Sequence, residues 1–352
     1  MNRNGPTSAP LPLALSMGEP GGIGPEIALM AWRALRETGP VFCLVGCAAL
    51  LHARAQRAGI DAPVQVITDV REAMDTFPRA LPVLETQATR NMHDTPGKAL
   101  PENATAVLAA IDEAARLAAE GLVAGMVTLP IQKESLYKAG FAFEGHTDYL
   151  AEVARRLLKL DEPPQTVMML TAKDLRAIPV TVHIPLKEVP ARLSSDSIIS
   201  QGEIVARDLA RWFGVARPRI AVAGLNPHAG EGGRMGTEED DIIRPAISAL
   251  QERGIDAFGP LPADTLFHDE ARTTYDAVLC MYHDQALIPV KTLDFHGGVN
   301  VTLGLPFVRT SPDHGTALTL AGSARARPHS LIAALRTAAG MARHNASAAA
   351  RP

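Results

Sequence analysis

The sequence predicts an α/β protein of two domains built on largely parallel sheets, and three observations predict it. Short apolar runs alternate along the chain with longer amphipathic ones, the rhythm of strand–helix–strand units. Aromatic residues make up only 4% of a chain that is 47% hydrophobic, so the core is aliphatic packing of helices against strands rather than an all-β sandwich. The length, 352 residues, exceeds what one hydrophobic core usually organises.

The elements follow in order. Residues 1–10 and 346–352 read as frayed tails. The run 11–17 is a strand, followed by a turn over 18–24 and a helix opened by Pro25 at its first position. A short strand over 41–45 precedes a helix over 48–57. The Ala-rich stretch 102–120 places Val107, Leu108, Ile111, Ala114, Ala115 and Ala118 on one face, a helix, and leads into a strand over 122–128. After Gly145 a helix is expected over 147–158, then strands over 166–171 and 178–183. A helix over 195–212, a strand over 219–223 and a helix over 238–253 come next. A buried strand over 277–281 and a final helix over 329–344 complete the pattern.

Charge and cysteine content narrow the class. The net charge of −4 and the absence of a basic block give no support for a nucleic-acid or anionic-membrane partner. Cys43, Cys47 and Cys280 are odd in number, two of them in apolar surroundings, as expected of reduced thiols in a reducing compartment. Residues 1–10 lack the apolar run of a signal peptide, and the run 11–17 is too short to span a bilayer. A cytoplasmic protein is expected.

His183, His228 and His283 each sit where an apolar, strand-like run gives out. Ligand crevices in open α/β sheets lie beyond the carboxyl ends of strands, so the three imidazoles are placed to converge although 45 and 55 residues separate them. Three neutral imidazoles with an open fourth position make a catalytic metal site. Taken singly, each reads first as a hydrogen-bonded residue at a strand end.

Two glycine-rich segments stand out. Met17-Gly-Glu-Pro-Gly-Gly-Ile-Gly-Pro-Glu-Ile27 lies between strand and helix and allows close backbone approach, but it is neither a GxGxxG fingerprint nor a Walker A loop. Asn226-Pro-His-Ala-Gly-Glu-Gly-Gly-Arg-Met-Gly236 carries a histidine, a glutamate and four glycines, a loop costly to order unless it wraps something. Further on, Asp284, Lys291, Asn300, Arg309, Asp313 and His314 crowd into about thirty residues around apolar runs. Lys291 and Arg309 are the residue types that grip phosphate and carboxylate groups. Thr147, after Gly145-His146, fits either a plain helix cap or a phosphate-binding helix start.

Several long motifs, in this order, resemble one family. They are Gly18-Glu-Pro-Gly-Gly-Ile-Gly-Pro-Glu26, Gly145-His-Thr147, Asn226-Pro-His-Ala-Gly-Glu-Gly-Gly233, Gly259-Pro-Leu-Pro-Ala-Asp-Thr265, Tyr282-His-Asp-Gln285, Gly298-Val-Asn-Val-Thr-Leu-Gly-Leu-Pro306 and Arg309-Thr-Ser-Pro-Asp-His-Gly-Thr-Ala317. From Leu11 to the last helix the chain resembles the 4-hydroxythreonine-4-phosphate dehydrogenase family of pyridoxine biosynthesis. Gly22-Ile-Gly-Pro-Glu26 and His314-Gly-Thr-Ala317 also resemble, more distantly, the isocitrate and isopropylmalate dehydrogenases.

The resemblance implies the two-domain fold of those enzymes, with a discontinuous first domain over 11–140 and 310–346 and a second over 141–309. It implies a homodimer whose active site lies in the interdomain cleft and is completed by the second subunit. His183, His228 and His283 become ligands of a divalent ion (zinc, magnesium or cobalt), the first two from one subunit and His283 from its partner. His146, Thr147, Lys291, Asn300 and Arg309 become substrate contacts. Asp264 and Asp284 fall close to the metal, Lys291 or an aspartate such as Asp284 supplies the base, and Asp313, His314 and Gly315 are candidates for holding NAD or NADP.

The implied reaction oxidises 4-phosphooxy-L-threonine at C3 and decarboxylates the product to 3-amino-2-oxopropyl phosphate. Ala286 departs from the family, which usually has glycine there. Rival readings are a sister dehydrogenase acting on a phosphorylated threonate or erythronate or on a dihydrodiol carboxylate, a three-histidine zinc hydrolase, and a non-catalytic binding protein.

Overall fold

The computed structural model describes residues 11–143 and 145–349. In chain order the first elements are β1 (Leu13–Ser16), α1 (Gly24–Leu35), β2 (Phe42–Val45), α2 (Ala48–Ala58), β3 (Val64–Ile67), α3 (Ala73–Thr76) and β4 (Leu81–Leu84). Then come α4 (Ala104–Ala119), β5 (Met126–Thr128), α5 (Lys133–Lys138), α6 (His146–Leu158), β6 (Val167–Ala172), β7 (Leu175–Pro179), α7 (Val189–Arg192) and α8 (Ser195–Phe213). The chain continues through β8 (Arg219–Ala223), α9 (Arg244–Glu252), β9 (Asp256–Leu261), α10 (Asp269–Arg272), β10 (Ala277–Cys280), α11 (His283–Leu293), β11 (Val299–Leu303), β12 (Arg309–Pro312) and α12 (His329–Ala349). The expected α/β class with mostly parallel strands holds.

The chain forms two compact units. One comprises the residues up to Pro163 together with Pro306–Ala339, and the other Pro164–Leu305 with the residues from Gly340. Strands of the first unit run in the order β3-β4-β2-β1-β5-β12, every pair parallel. The four-residue runs of β1, β2 and β4 are mostly apolar and buried on both faces, as a parallel sheet covered by helices requires. Trp32 of α1 is fully buried and donates its indole N–H to the Phe77 carbonyl at 2.9 Å, while Phe77 meets Phe42 edge-on at 5.0 Å. In α4 the residues Val107, Ile111, Ala114, Ala115 and Ala118 are buried at helical spacing, as their periodicity predicts, whereas Leu108 is only half-buried.

Strands of the second unit run in the order β11-β6-β7-β10-β8-β9, antiparallel at β11-β6-β7 and parallel from β7 to β9. Its core joins Leu170, Leu175, Ala177, Ala221, Val278, Cys280, Ala286 and Val290. The extra methyl of Ala286 lies in this core, fully buried inside α11, so the departure from glycine is absorbed by packing.

Several expectations are corrected. The strand expected over 178–183 ends at Pro179, so His183 stands four residues beyond it with φ of 48°. The helix expected over 238–253 opens with a π-helical turn, Glu239–Ile243, before α9 begins. The tail expected from 346 remains helical through Ala349, and the other tail expectations, at 1–10 and 350–352, lie outside the described residues.

Candidate active site

Four parallel neighbours in the second unit, β7, β10, β8 and β9, end side by side and release their loops at one edge. In that spatial order the loops carry His183, His283, His228 and Asp264, each three to five residues past its strand. The ladder between β7 and β10 extends beyond both strands. Val180 N–H donates to the Cys280 carbonyl at 2.7 Å, and the Thr181 hydroxyl to the Met281 carbonyl at 2.7 Å. This draws the next residues together, and the His183 and His283 rings lie 5.7 Å apart, tilted by 45°. Among the described residues of the one chain no group of three His, Cys, Asp or Glu side chains is arranged to hold a metal ion.

Gln285 braces this edge. Its carbonyl accepts from Met281 N–H at 2.6 Å and its amide donates to the Gly224 carbonyl at 2.8 Å, tying the end of β10 to the end of β8. The loop bearing His228 is unusual: every residue from His228 to Gly233 has positive φ. His228, Ala229 and Glu231 thereby occupy a conformation that L-residues adopt only under constraint.

The helix α11 starts at His283. Asp284 is exposed, and its carboxylate lies 2.7 Å from His283 Nδ1; as acceptor from Nδ1–H it leaves the Nε2 lone pair for another partner. One face of α11 later presents Lys291, whose Nζ lies 5.4 Å from the Phe295 ring centroid. Asn300, on β11, has a buried Oδ1 that accepts no hydrogen bond. Asp264 is exposed in a single 3₁₀ turn, Ala263–Thr265.

The first unit carries the remaining predicted contacts. His146 and Thr147 open α6, and the N-cap residue, Gly145, has no side chain to cap the helix. The first-turn amides therefore receive no side-chain cap from Gly145, the opening that an anion site at a helix N-terminus uses. His146 Nε2 is buried without a partner. Burial of the ring, reinforced by the positive charges of Arg309 and Lys133, holds its pKa well below the ordinary value, so the imidazole is neutral.

Arg309, on β12 opposite Met126 of β5, is 2% exposed and donates to the Thr128 hydroxyl at 2.6 Å. Burial pushes its pKa down to about 10, which leaves it a cation at neutral pH. Beyond β12, Asp313 N–H donates to the Ser330 hydroxyl at 3.0 Å, His314 Nδ1 lies 3.0 Å from the Gly315 carbonyl, and His314 Nε2 is buried without a partner.

Sequence reasoning passed over the scaffold beneath these loops. Arg54 of α2 is fully buried and reaches under the glycine-rich turn, donating to the Pro20 carbonyl at 2.7 Å and the Gly22 carbonyl at 2.8 Å. It also pairs with Glu26 at 3.3 Å and Asp94 at 2.5 Å, and Glu26 accepts from the amides of Gly322 and Ala324. Glu19, in the same turn, accepts from Gly21 N–H at 3.0 Å and from the Ser135 hydroxyl at 3.2 Å; burial raises its pKa. Nothing local in the sequence marks Arg54, but the Glu19 and Glu26 positions inside a glycine motif were a visible signal.

Imidazoles and carboxylates at the ends of parallel strands in the second unit, and buried cations and unsatisfied polar atoms in the first, are the equipment of an α/β enzyme that handles a small anionic substrate. Comparison with known proteins makes this specific. The family described as "Pyridoxal phosphate biosynthetic protein PdxA" matches residues 39–338, and the chain belongs to it. A 4-hydroxythreonine-4-phosphate dehydrogenase of Caulobacter vibrioides is 53% identical over 333 residues, covering 94% of this chain and 97% of the relative.

Among solved structures, a 4-hydroxythreonine-4-phosphate dehydrogenase from Klebsiella pneumoniae superposes with a TM-score of 0.81 at 36% identity, covering 94% of this chain and 99% of that one. A terephthalate 1,2-cis-dihydrodiol dehydrogenase from Burkholderia xenovorans follows with a TM-score of 0.64 at 26% identity, covering 94% and 98%.

Proposed function

We propose that this chain is a 4-hydroxythreonine-4-phosphate dehydrogenase. It oxidises 4-phosphooxy-L-threonine at C3 with NAD or NADP, and the product decarboxylates to 3-amino-2-oxopropyl phosphate on the way to pyridoxine 5'-phosphate. The observation that carries the residue assignment is the set of orphaned buried atoms. Buried polar groups without partners are rare in folded proteins, and His146 Nε2, Asn300 Oδ1 and His314 Nε2 are such groups. Each belongs to a residue that the family motifs mark for ligand contact. The higher identity to phosphate-substrate dehydrogenases than to the dihydrodiol enzyme favours the phosphorylated substrate.

The donor set fits a divalent ion: three imidazoles on neighbouring strand-end loops, one with a carboxylate at its far nitrogen. His183, His228 and His283 would hold zinc, magnesium or cobalt, with Asp264 and Asp284 near them. Such an ion supplies Lewis acidity, lowering the pKa of the C3 hydroxyl and favouring enolate character during loss of CO2. The nicotinamide nucleotide supplies the hydride acceptor, and Asp313, His314 and Gly315 are assigned to it.

The protein side of the chemistry is acid–base and anion binding. Lys291 or Asp284 takes the C3 hydroxyl proton and returns a proton to the carbon that loses CO2. Arg309, Lys291, Asn300 and the amides at His146 and Thr147 share the phosphate and carboxylate. Neutral His146 donates or accepts one hydrogen bond without adding charge. Exposed Leu186, Met235, Ile288 and Phe295 follow the same strand ends in the second unit and suit burial by a second copy in a homodimer.

The decisive test is His228→Ala, assayed for bound metal and for nicotinamide reduction with 4-phosphooxy-L-threonine. Loss of both is expected. A variant that keeps its metal and its turnover sinks the histidine site. Turnover of a phosphorylated threonate in preference to 4-phosphooxy-L-threonine sinks the substrate assignment.

A further inference from the structure

We propose that Glu239 is a positioning residue for the metal site, its buried carboxylate locking the left-handed turn that presents His228. The inference rests on reading His228 as a metal ligand and deepens that reading. Glu239 is 1% exposed and heads the π-helical turn Glu239–Ile243, a local irregularity often found at functional sites. One carboxylate oxygen accepts from Asn226 N–H at 2.7 Å, and the other from the Asn226 side-chain amide at 2.9 Å. The same amide donates to Glu238 at 2.7 Å. Two acidic side chains from one turn thus grip a single asparagine two residues before His228.

The grip accounts for Gly230 and Gly236 in the loop and for Gly224 before it, while Gly232 and Gly233 have open space beside them and serve only the positive φ. A Cβ on Gly230 would stand 2.8 Å from Glu239 Oε2, and one on Gly224 3.2 Å from Oε1, while one on Gly236 would collide with the Asn226 amide. The chain wraps the carboxylate so closely that side chains are excluded. Asn226 in turn anchors the left-handed run, its carbonyl accepting from Ala229 N–H at 3.1 Å. Left to itself, a run of positive φ from His228 to Gly233 would relax, because non-glycine residues disfavour it. Burying a carboxylate is costly, and no ion pair reaches Glu239 or Glu238 among the described residues. A group kept buried on such terms has a positional task, and the residue it positions is His228.

The test uses the full-length protein and zinc alone as the probe. Glu239→Gln has one acceptor oxygen where the carboxylate has two, so one Asn226 donor loses its partner. Zinc affinity by calorimetry should fall about tenfold or more, the range seen when groups orienting a metal ligand are removed. The metal-free protein should keep its circular dichroism and its Tm, and in the cobalt-substituted protein the visible absorption bands should shift.

Wild-type zinc affinity in Glu239→Gln overturns the proposal. His228→Ala, measured alongside, separates the two readings. Should it bind zinc as wild type does, the histidine reading fails; should it lose zinc while Glu239→Gln does not, only the Glu239 proposal fails. Asn226→Ala removes the same contacts from the other side and decides by the same criterion if Glu239→Gln does not fold.

Discussion

His146 and Arg309 show how burial turns two ordinary side chains into a recognition element. The His146 imidazole is held neutral first by desolvation and then by the positive charges of Arg309 and Lys133. Its folded pKa lies below the unfolded value of 6.5, so the unfolded chain binds the extra proton first as pH falls. The sign follows: this contribution to stability is fully present above about pH 6.5 and is lost as pH drops through the unfolded value toward the folded one. His146→Gln should therefore flatten the fall in Tm between neutral and mildly acidic pH. An unchanged pH dependence in the variant sinks the assignment.

Arg309 is kept charged in a place that lowers its pKa to about 10, and a bound anion would relieve that cost. Arg309→Lys keeps the charge but loses the planar fork, so KM for the phosphorylated substrate should rise roughly tenfold, in line with about 1.5–3 kcal/mol for a hydrogen bond to a charged group. Unchanged KM in steady-state assays excludes the contact.

At the scale of elements, the glycine-rich turn between β1 and α1 is held by charge rather than by its own preference. Arg54 joins α2 to the carbonyls of that turn and to Glu26 and Asp94 in one buried network. Arg54→Met would leave Glu26 buried without its cation, and the expected loss is about 3–5 kcal/mol in urea unfolding. The double variant Arg54→Met with Glu26→Gln should recover part of it; full stability in the single variant excludes the network.

Nothing in the sequence announces this brace, because its partners lie up to 40 residues away and only the fold pairs them. Strands were legible where apolar runs were unbroken, as in Arg219–Ala223, and illegible where breakers interrupt them. β4 contains Pro82, β9 contains Gly259 and Pro260, and β3 is a half-exposed edge strand with Val66 in solvent. Pro289 hid α11 in the same way.

Across the molecule, strand-end position is what singles out His183, His228 and His283 in the sequence, whereas which of them meet depends on strand order. The family resemblance implies that His183 and His228 come from one subunit and His283 from its partner. The sheet places β10 between β7 and β8, and the pair that forms within one chain is His183 with His283. We therefore expect the division between subunits to separate His228 of one subunit from His183 and His283 of the other.

Mixed dimers distinguish the two arrangements, because a site needs all three ligands and a two-fold dimer holds two sites. Refolding His228→Ala together with His283→Ala leaves one intact site in each mixed dimer under either division, about a quarter of wild-type activity for random pairing. Refolding His183→Ala with His283→Ala restores a site only if those two residues come from different subunits. Activity from the first mixture and none from the second is the expected result. Activity from both returns His283 to the partner, and activity from neither means that each subunit supplies all three histidines itself.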